Sequence, residues 1–477
     1  MKTWVPVLLA LTVLAGCIDD DGRTTDGTPD VPVTPAPAWT FSLHDVGEDG
    51  PEPTLGVTSD GSIYFQALEK TMKSSDHGAT WTQVSTTLSS PTTLDPMLWV
   101  DPVTDRVFSN QLYLACSYLS YSDDGGATWI SNPAACGVPV NDHQKVATGP
   151  YVEGSPLAPV GGVNPVYPNV VYYAYNAIAG SRVAISVDGG LTFPYTGLAN
   201  PPVPVDEGDS ECAAGLHGHI TAGPDGVVYI PNRSSCSGPD GVGQSGPVVA
   251  RSFDNGLTWD QVLVHPDIGT SDHDKNPEVA IDVNNTLYIT WPGADNRLYY
   301  AWSGDHGSTW SPAYLVTPQL GTATMPVIQA GDPGRIAMAY YAVEDPATVR
   351  GDEGRIQPPD LTNETARWNL YVTFSLNALD DLPTWTTWSL TDDPIQIGPI
   401  STNTGDAPAG SRNLLDFIDM VLDAEGRVYI AYADGCTGAC ATDPEATMEM
   451  SRDAQGFAAV MQSGPSLYRA DGTLSPF

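Results

Sequence analysis

Basic residues are scarce in this chain. Against 57 acidic side chains there are 19 lysines and arginines, a formal net charge of -38 over 477 residues. After the first few residues the only lysines are Lys70, Lys73, Lys145 and Lys275. A balance this acidic disfavours nucleic acid and anionic lipid as partners and leaves cationic ligands, divalent ions or a saline habitat compatible. Two other shortages narrow the fold. No segment beyond the amino terminus is long and apolar enough to span a membrane. None of the remaining chain carries a helical period, whereas alternating apolar and polar residues between Gly, Asn and Asp turns recur throughout. The expectation is an all-β protein. Cysteine is limited to seven, with no paired C-x-x-C motif to suggest a thiolate metal site.

What is present is repetition. The pattern Ser-x-Asp-x-Gly-x-Thr-Trp/Phe occurs at Ser74 to Trp81, Ser122 to Trp129, Ser186 to Phe193, Ser252 to Trp259 and Ser303 to Trp310. Copies spaced by tens of residues signal a repeat fold in which one supersecondary unit is stacked into a ring or array. Each box follows a polar turn and a β-rich run such as Asp225 to Ile230. Seven such hairpins can be counted, two of them with only eroded boxes, at Ser375 to Asn377 with Thr384-Trp385 and at Ser451 to Asp453 with Gly456-Phe457. Each unit reads as four strands: an inner strand, the Tyr-Ile strand, the strand into the box and the strand after its Trp. The run Trp39 to His44 resembles an after-box strand without its box, so it can supply the last strand of a seventh blade and close a ring without a free edge. In each box, Asp76, Asp124, Asp188, Asp254 and Asp305 can accept backbone N–H bonds in a tight turn. Gly tolerates positive φ there and Trp offers an apolar packing face. A Ser, Asp, Thr trio repeated five times is a turn, not a catalytic group.

The boxes resemble the Asp-box, or BNR, repeats of the sialidase-like superfamily, and the resemblance covers roughly residues 40 to 465. It implies a seven-bladed β-propeller, with a six-bladed sialidase-type ring as the alternative. The same superfamily contains sialidases, other glycoside hydrolases and non-catalytic binding proteins, so fold does not settle function. A sialidase requires three arginines around the substrate carboxylate, a Tyr with a Glu partner, and an Asp acid/base. The arginine expected ahead of the first box is missing, since Arg23 is the only one between Cys17 and Ser74. Later members could come from Arg233, Arg251, Arg297, Arg367 and Arg412, and the Tyr and Glu pair from Tyr340, Tyr341 and Glu344.

The amino terminus reads as an export signal. Met1-Lys2, an apolar run from Trp4 to Leu14 and Leu14-Ala15-Gly16-Cys17 resemble a lipoprotein signal ending at a lipidated Cys17. Residues 1–17 are then the signal, 18–38 an acidic, Thr- and Pro-rich tether, and 39–477 the propeller. The expected location is the outer face of a cell membrane, with membrane contact through the lipid alone. Six cysteines remain for disulfides, and spacing suggests Cys116 with Cys136, Cys212 with Cys236 and Cys436 with Cys440, among 15 pairings that six cysteines allow.

Functional candidates lie on the inner strands, whose ends surround the channel of a propeller. Aligning the hairpins puts His219, Glu278 and Asp419 in one register, each four residues before Gly223, Asp282 and Asp423. Upstream, Asp142-His143-Gln144-Lys145 and Asp272-His273-Asp274-Lys275 repeat an Asp-His-x-Lys pattern, and His217 falls in the blade between. Imidazoles and carboxylates so placed suggest a polar site at one channel mouth, for a polar ligand or a divalent cation such as calcium, with no cofactor required. The acidic run Asp206 to Glu211 lacks the spacing of a calcium loop. Insertions at Gly154 to Pro168 and Glu344 to Arg367 are candidate specificity loops. The expectation for function is a platform for an extracellular glycan or a surface protein. The alternative is a sialidase-like exo-glycoside hydrolase.

Overall fold

A computed structural model describes residues 38–85, 95–113, 116–135, 141–177, 180–200, 213–214, 216–235, 246–266, 276–293, 295–344, 365–400, 411–468 and 472–477. The chain forms seven antiparallel sheets of four or five strands, one per blade. Blades one to seven have inner strands Thr54–Val57, Met97–Val100, Asp142–Gly149, Thr221–Ala222, Glu278–Ile281, Thr322–Ala330 and Asp419–Leu422. In six blades the strands run outward in chain order. The seventh takes Thr40–Asp49 as its outermost strand, paired antiparallel to Gln455–Pro465 with Phe41 opposite Met461 and Asp45 opposite Phe457. The ring is therefore closed by hydrogen bonds between the two ends of the propeller, and the all-β, seven-bladed expectation holds. Among the described residues the only helix is one turn, Ala439–Thr442.

The repeated box makes the same turn five times. Ser74 Oγ donates to Asp76 Oδ1 at 2.8 Å and accepts the Gly78 N–H at 2.8 Å; Asp76 in turn accepts the Thr80 N–H at 2.9 Å and hydroxyl at 2.6 Å. Ser122, Ser186, Ser252 and Ser303 repeat those bonds. The Thr80 bonds hold the Asp76 carboxyl down to about 2. Two successive residues in each turn have left-handed backbone, His77 at φ 60 and Gly78 at φ 94 in the first, which is why glycine recurs at the second. In blade six the eroded box keeps the design with an amide: Asn377 Oδ1 accepts both the N–H and the hydroxyl of Thr384. The expected seventh box is misplaced. Ser451 to Asp453 precede the third strand of blade seven instead of following it, and Ser451 bonds Gln396 and the Gly435 carbonyl. The equivalent turn comes after Pro465, where Ser466 Oγ accepts the Tyr468 N–H and donates to the Glu425 carbonyl.

Because neighbouring strands are antiparallel, the inner hairpin turns and the boxes share one face, here called the turn face. The inner strands begin on the other, the entry face. Trp39, just before the closing strand, lies on the turn face, as does the Tyr151 to Pro168 excursion between the first two strands of blade three. Blades are joined by buried aromatics. Tyr288 donates to Asp282 in its own blade and accepts the Gly334 N–H of the next. Trp291 and Trp368 are buried in blade cores, so packing is their role. The same is true of Tyr340 and Tyr341, both fully buried. The disulfide Cys436–Cys440 is formed on the entry face. Cys136, Cys212 and Cys236 lie outside the described residues, as does Cys17.

Two stability predictions follow from blade seven. Trp39 stacks on Phe374 at 4.3 Å and donates its indole N–H to the Pro465 carbonyl. Trp39→Ala should cost about 3–5 kcal/mol of unfolding free energy by denaturant titration, since it opens a cavity where the ring closes. Asp434 is pushed up to about 7, chiefly by burial and then by Asp393 and Asp453. A carboxyl raised in the folded state favours folding while protonated and loses that contribution as pH rises from about 4 through about 7. Asp434→Asn should therefore flatten this part of the stability curve and raise stability at pH 8 by about 1–3 kcal/mol.

Candidate functional site at the channel mouth

The pairing registers place Thr54, Met97, Val146, Glu278, Val327 and Asp419 at one level of the channel, each opposite the fourth residue of its neighbouring strand counted from the hairpin. His219 is the blade-four member, two residues before Thr221. This level mixes polar and apolar groups: His219, Glu278 and Asp419 come from blades four, five and seven, Met97, Val146 and Val327 from blades two, three and six, around a cavity of about 80 Å³. That is room for only a few waters. His219 links the acids. Its Nδ1 lies 3.0 Å from Glu278 Oε1, its backbone N–H donates to Glu278 Oε2, and its Nε2 faces Asp419 Oδ1 at 3.8 Å. Asp419 is held by the N–H groups of Leu55 and Met420, and burial raises its carboxyl.

Two residues earlier in each blade stand Glu52, Asp95, Gln144, His217, Asn276, Met325 and Phe417. The backbone here is unusual. Glu52, Asp95, His143, Met325 and Leu415 have φ of 52, 53, 53, 50 and 59, and none is glycine. Left-handed non-glycine residues cost of order 1 kcal/mol or more each and concentrate where function demands a geometry. Three of them precede proline, at Pro53, Pro96 and Pro326, and His143 lies in a β-bulge between Asp142 and Lys145. Bulges redirect side chains at a strand end.

Glu52 organises this layer. One carboxylate oxygen accepts the Asp95 N–H at 2.9 Å and the other the Asp416 N–H at 3.1 Å. Burial, then Asp95 and Asp416, push its carboxyl well up. Asp95 is raised to about 7 by burial and by the Asp142 carboxyl beside it, and accepts the His143 N–H at 3.2 Å. Arg412 grips both oxygens of Asp416 at 2.6 and 2.7 Å. Lys145 is completely buried, its Nζ 3.0 Å from the centre of the Phe417 ring and without a hydrogen-bond partner. Burial lowers it to about 8 against the pull of Glu278, Glu52, Asp95 and Asp419. His217 is lowered to about 4 by burial, and its Nδ1–H can donate only to the Gly218 carbonyl, 2.8 Å away. Phe417 covers the assembly, edge-on to both His143 and His219.

Asp142, His143, Lys145, His217, His219, Glu278 and Asp419 are therefore brought together, as the repeat alignment suggests. Asp272, His273, Asp274 and Lys275 lie outside the described residues. Glu52, Asp95, Asp416 and Phe417 escape a sequence reading built on the hairpins, because they precede the inner strands. The available signal is the recurring x-Pro step at strand entry, Glu52-Pro53, Asp95-Pro96, Asn276-Pro277 and Met325-Pro326. The five arginines considered for a carboxylate clamp are held apart: Arg233 by Pro292, Arg251 by Asp260, Arg297 by Asp295, Arg367 by Pro444 and Ala446, and Arg412 by Asp416. Only Arg412 stands with the channel carboxylates.

No protein-family model matches the chain. No curated protein matches it in sequence. Similar solved structures include a protein of unknown function from Dyadobacter fermentans, at TM-score 0.44 and 13% identity, covering 89% of this chain and 99% of that one. The intramolecular trans-sialidase of Ruminococcus gnavus gives TM-score 0.40 and 12% identity over 82% of this chain and 94% of its own. The Aleuria aurantia lectin gives 0.39 and 11% over 76% and 100%. Likeness at this level carries no functional inference.

His219→Ala tests the link between Glu278 and Asp419. It leaves two buried carboxylates without their bridging imidazole and should cost about 1–3 kcal/mol by denaturant unfolding at pH 7.

Proposed function

We propose that this protein is an exported, lipid-anchored β-propeller whose entry face binds an extracellular glycan or surface protein through polar contacts at the channel mouth. The observation that carries the reading is a set of buried polar atoms without internal partners: Lys145 Nζ, both side-chain polar atoms of Gln144, and His217 Nε2. Buried donors and acceptors are normally satisfied, and unpaired ones cost about 1–3 kcal/mol each. Their gathering at one mouth suits a site completed by a polar ligand.

The hydrolase reading is less well supported. Tyr340 and Tyr341 are committed to blade cores, with Tyr341 donating to the Ala433 carbonyl, and the arginines form no shared clamp. A carboxylate pair for glycoside hydrolysis needs an open cleft between its members, whereas His219 fills the space between Glu278 and Asp419.

The test is a glycan array probed with the full chain, at low and high salt, alongside turnover of fluorogenic glycosides including sialosides. Retention of a defined glycan class without turnover is expected, weakened about tenfold or more by Lys145→Met, the loss of a charged contact being worth at least ~1.4 kcal/mol. Robust turnover abolished by a single carboxylate substitution would replace this reading with the hydrolase.

A further inference from the structure

Asp95, His143 and Asp416 are placed like the ligands of a metal ion. Each offers one ligand atom, and the three atoms lie within 4.8 Å of one another. They reach this point from three separate parts of the chain: the entry to blade two, the bulge of blade three and the segment entering blade seven. Glu52 sets their positions by accepting the N–H groups of Asp95 and Asp416, so two acidic side chains are turned together instead of apart. A carboxylate has about four lone-pair positions. Asp416 can therefore keep its two bonds to Arg412 and still bind an ion.

His217 gives an independent sign. Its Nδ1–H is committed to the Gly218 carbonyl, which leaves Nε2 as a bare lone pair. The residue is fully buried, Nε2 has no hydrogen-bond partner, and the ring stands edge-on to His143 at 5.9 Å. An imidazole that donates one nitrogen to a backbone carbonyl and offers the other unprotonated is the state in which histidines bind metals. The acids are also in excess: Glu52, Asp95, Asp142 and Asp416 crowd one corner, with Arg412 and Lys145 as the cations nearby.

We infer that Asp95, His143 and Asp416 form a divalent transition-metal site, beside the unpartnered imidazole nitrogen of His217. The donor set selects the ion. Calcium prefers an all-oxygen shell of six to eight ligands. Two carboxylates with an imidazole and no thiolate suit zinc or manganese. Asp142 is exposed, and Asp416 and Arg412 have side chains 9% and 29% exposed, so this edge of the cluster marks the way in. Such an ion ties blades two, three and seven together and offers open positions to a ligand oxygen. It is a different site from the Glu278, His219, Asp419 bridge, and it does not depend on the partner being a glycan.

The experiment is calorimetric titration of the full chain, stripped with chelator, using Zn²⁺, Mn²⁺ and Ca²⁺ in turn. One equivalent of Zn²⁺ or Mn²⁺ should bind, at least about tenfold tighter than Ca²⁺. Asp95→Asn and His143→Gln should each weaken it by about 100-fold or more, beyond the 10–100-fold typical of losing an outer partner. His219→Gln should leave the affinity within about threefold, as a residue outside the set. Co²⁺ supplies a readout on the unaltered protein: bound-ion d–d absorption is expected, without thiolate charge transfer. Absence of that absorption, a preference for Ca²⁺, or loss of binding on His219→Gln but not on His143→Gln would overturn the assignment.

Discussion

A ring of sheets has no free edge only if its first and last strands find each other, and here that closure rests on one antiparallel pairing. The strand Thr40–Asp49 lies against Gln455–Pro465, joining residues some four hundred apart. Everything nearer the axis depends on it, because the channel exists only when all seven inner strands are held at a common radius. The closing strand is reinforced by side chains as well as by the ladder. Trp39 stacks across Phe374 and Trp388 from the neighbouring blade, and Lys70 pairs with Glu48 across the next boundary. The fold is thus completed at the place where the most chain entropy must be overcome.

Closure sets an electrostatic problem at the centre. Seven inner strands converge, and this chain puts carboxylates on blades one, two, five and seven there, with an imidazole or lysine on blades three and four. In a narrow, poorly hydrated channel, charges on facing strands feel one another strongly. Burial there raises the carboxyls of Glu52, Asp95 and Asp419 and lowers Lys145, while neighbouring acids push Glu52 and Asp95 further up. A purely structural axis would be filled with apolar side chains, such as the Met97, Val146 and Val327 that share this level. Strained backbone and crowded acids gather at one mouth, while the turn face carries five copies of one satisfied turn.

Legibility from sequence followed periodicity. The boxes, the hairpins and the closing strand each copy a local solution, so their spacing could be read directly. The register of His219, Glu278 and Asp419 was readable for the same reason, since each lies a constant distance from its hairpin. Blade seven escaped in part: Ser451 to Asp453 look like a box by composition but stand on the opposite face, because an irregular segment containing Cys436–Cys440 shifts the count. The acids at strand entry escaped as well. Glu52, Asp95 and Asp416 belong to connections of unequal length, where no repeat distance applies, and their convergence is produced by left-handed backbone and by the bonds Glu52 accepts.

Sequence alone determined the class of fold, the blade number, the strand order and the residues that seal the ring, because β-pairing and tight turns are set by local side chains repeated at a regular interval. Tertiary structure decided which side chains share the channel mouth, which arginines are already occupied, and that Tyr340 and Tyr341 serve the core. Those outcomes depend on distances between blades, and such distances are fixed only when the whole ring has closed.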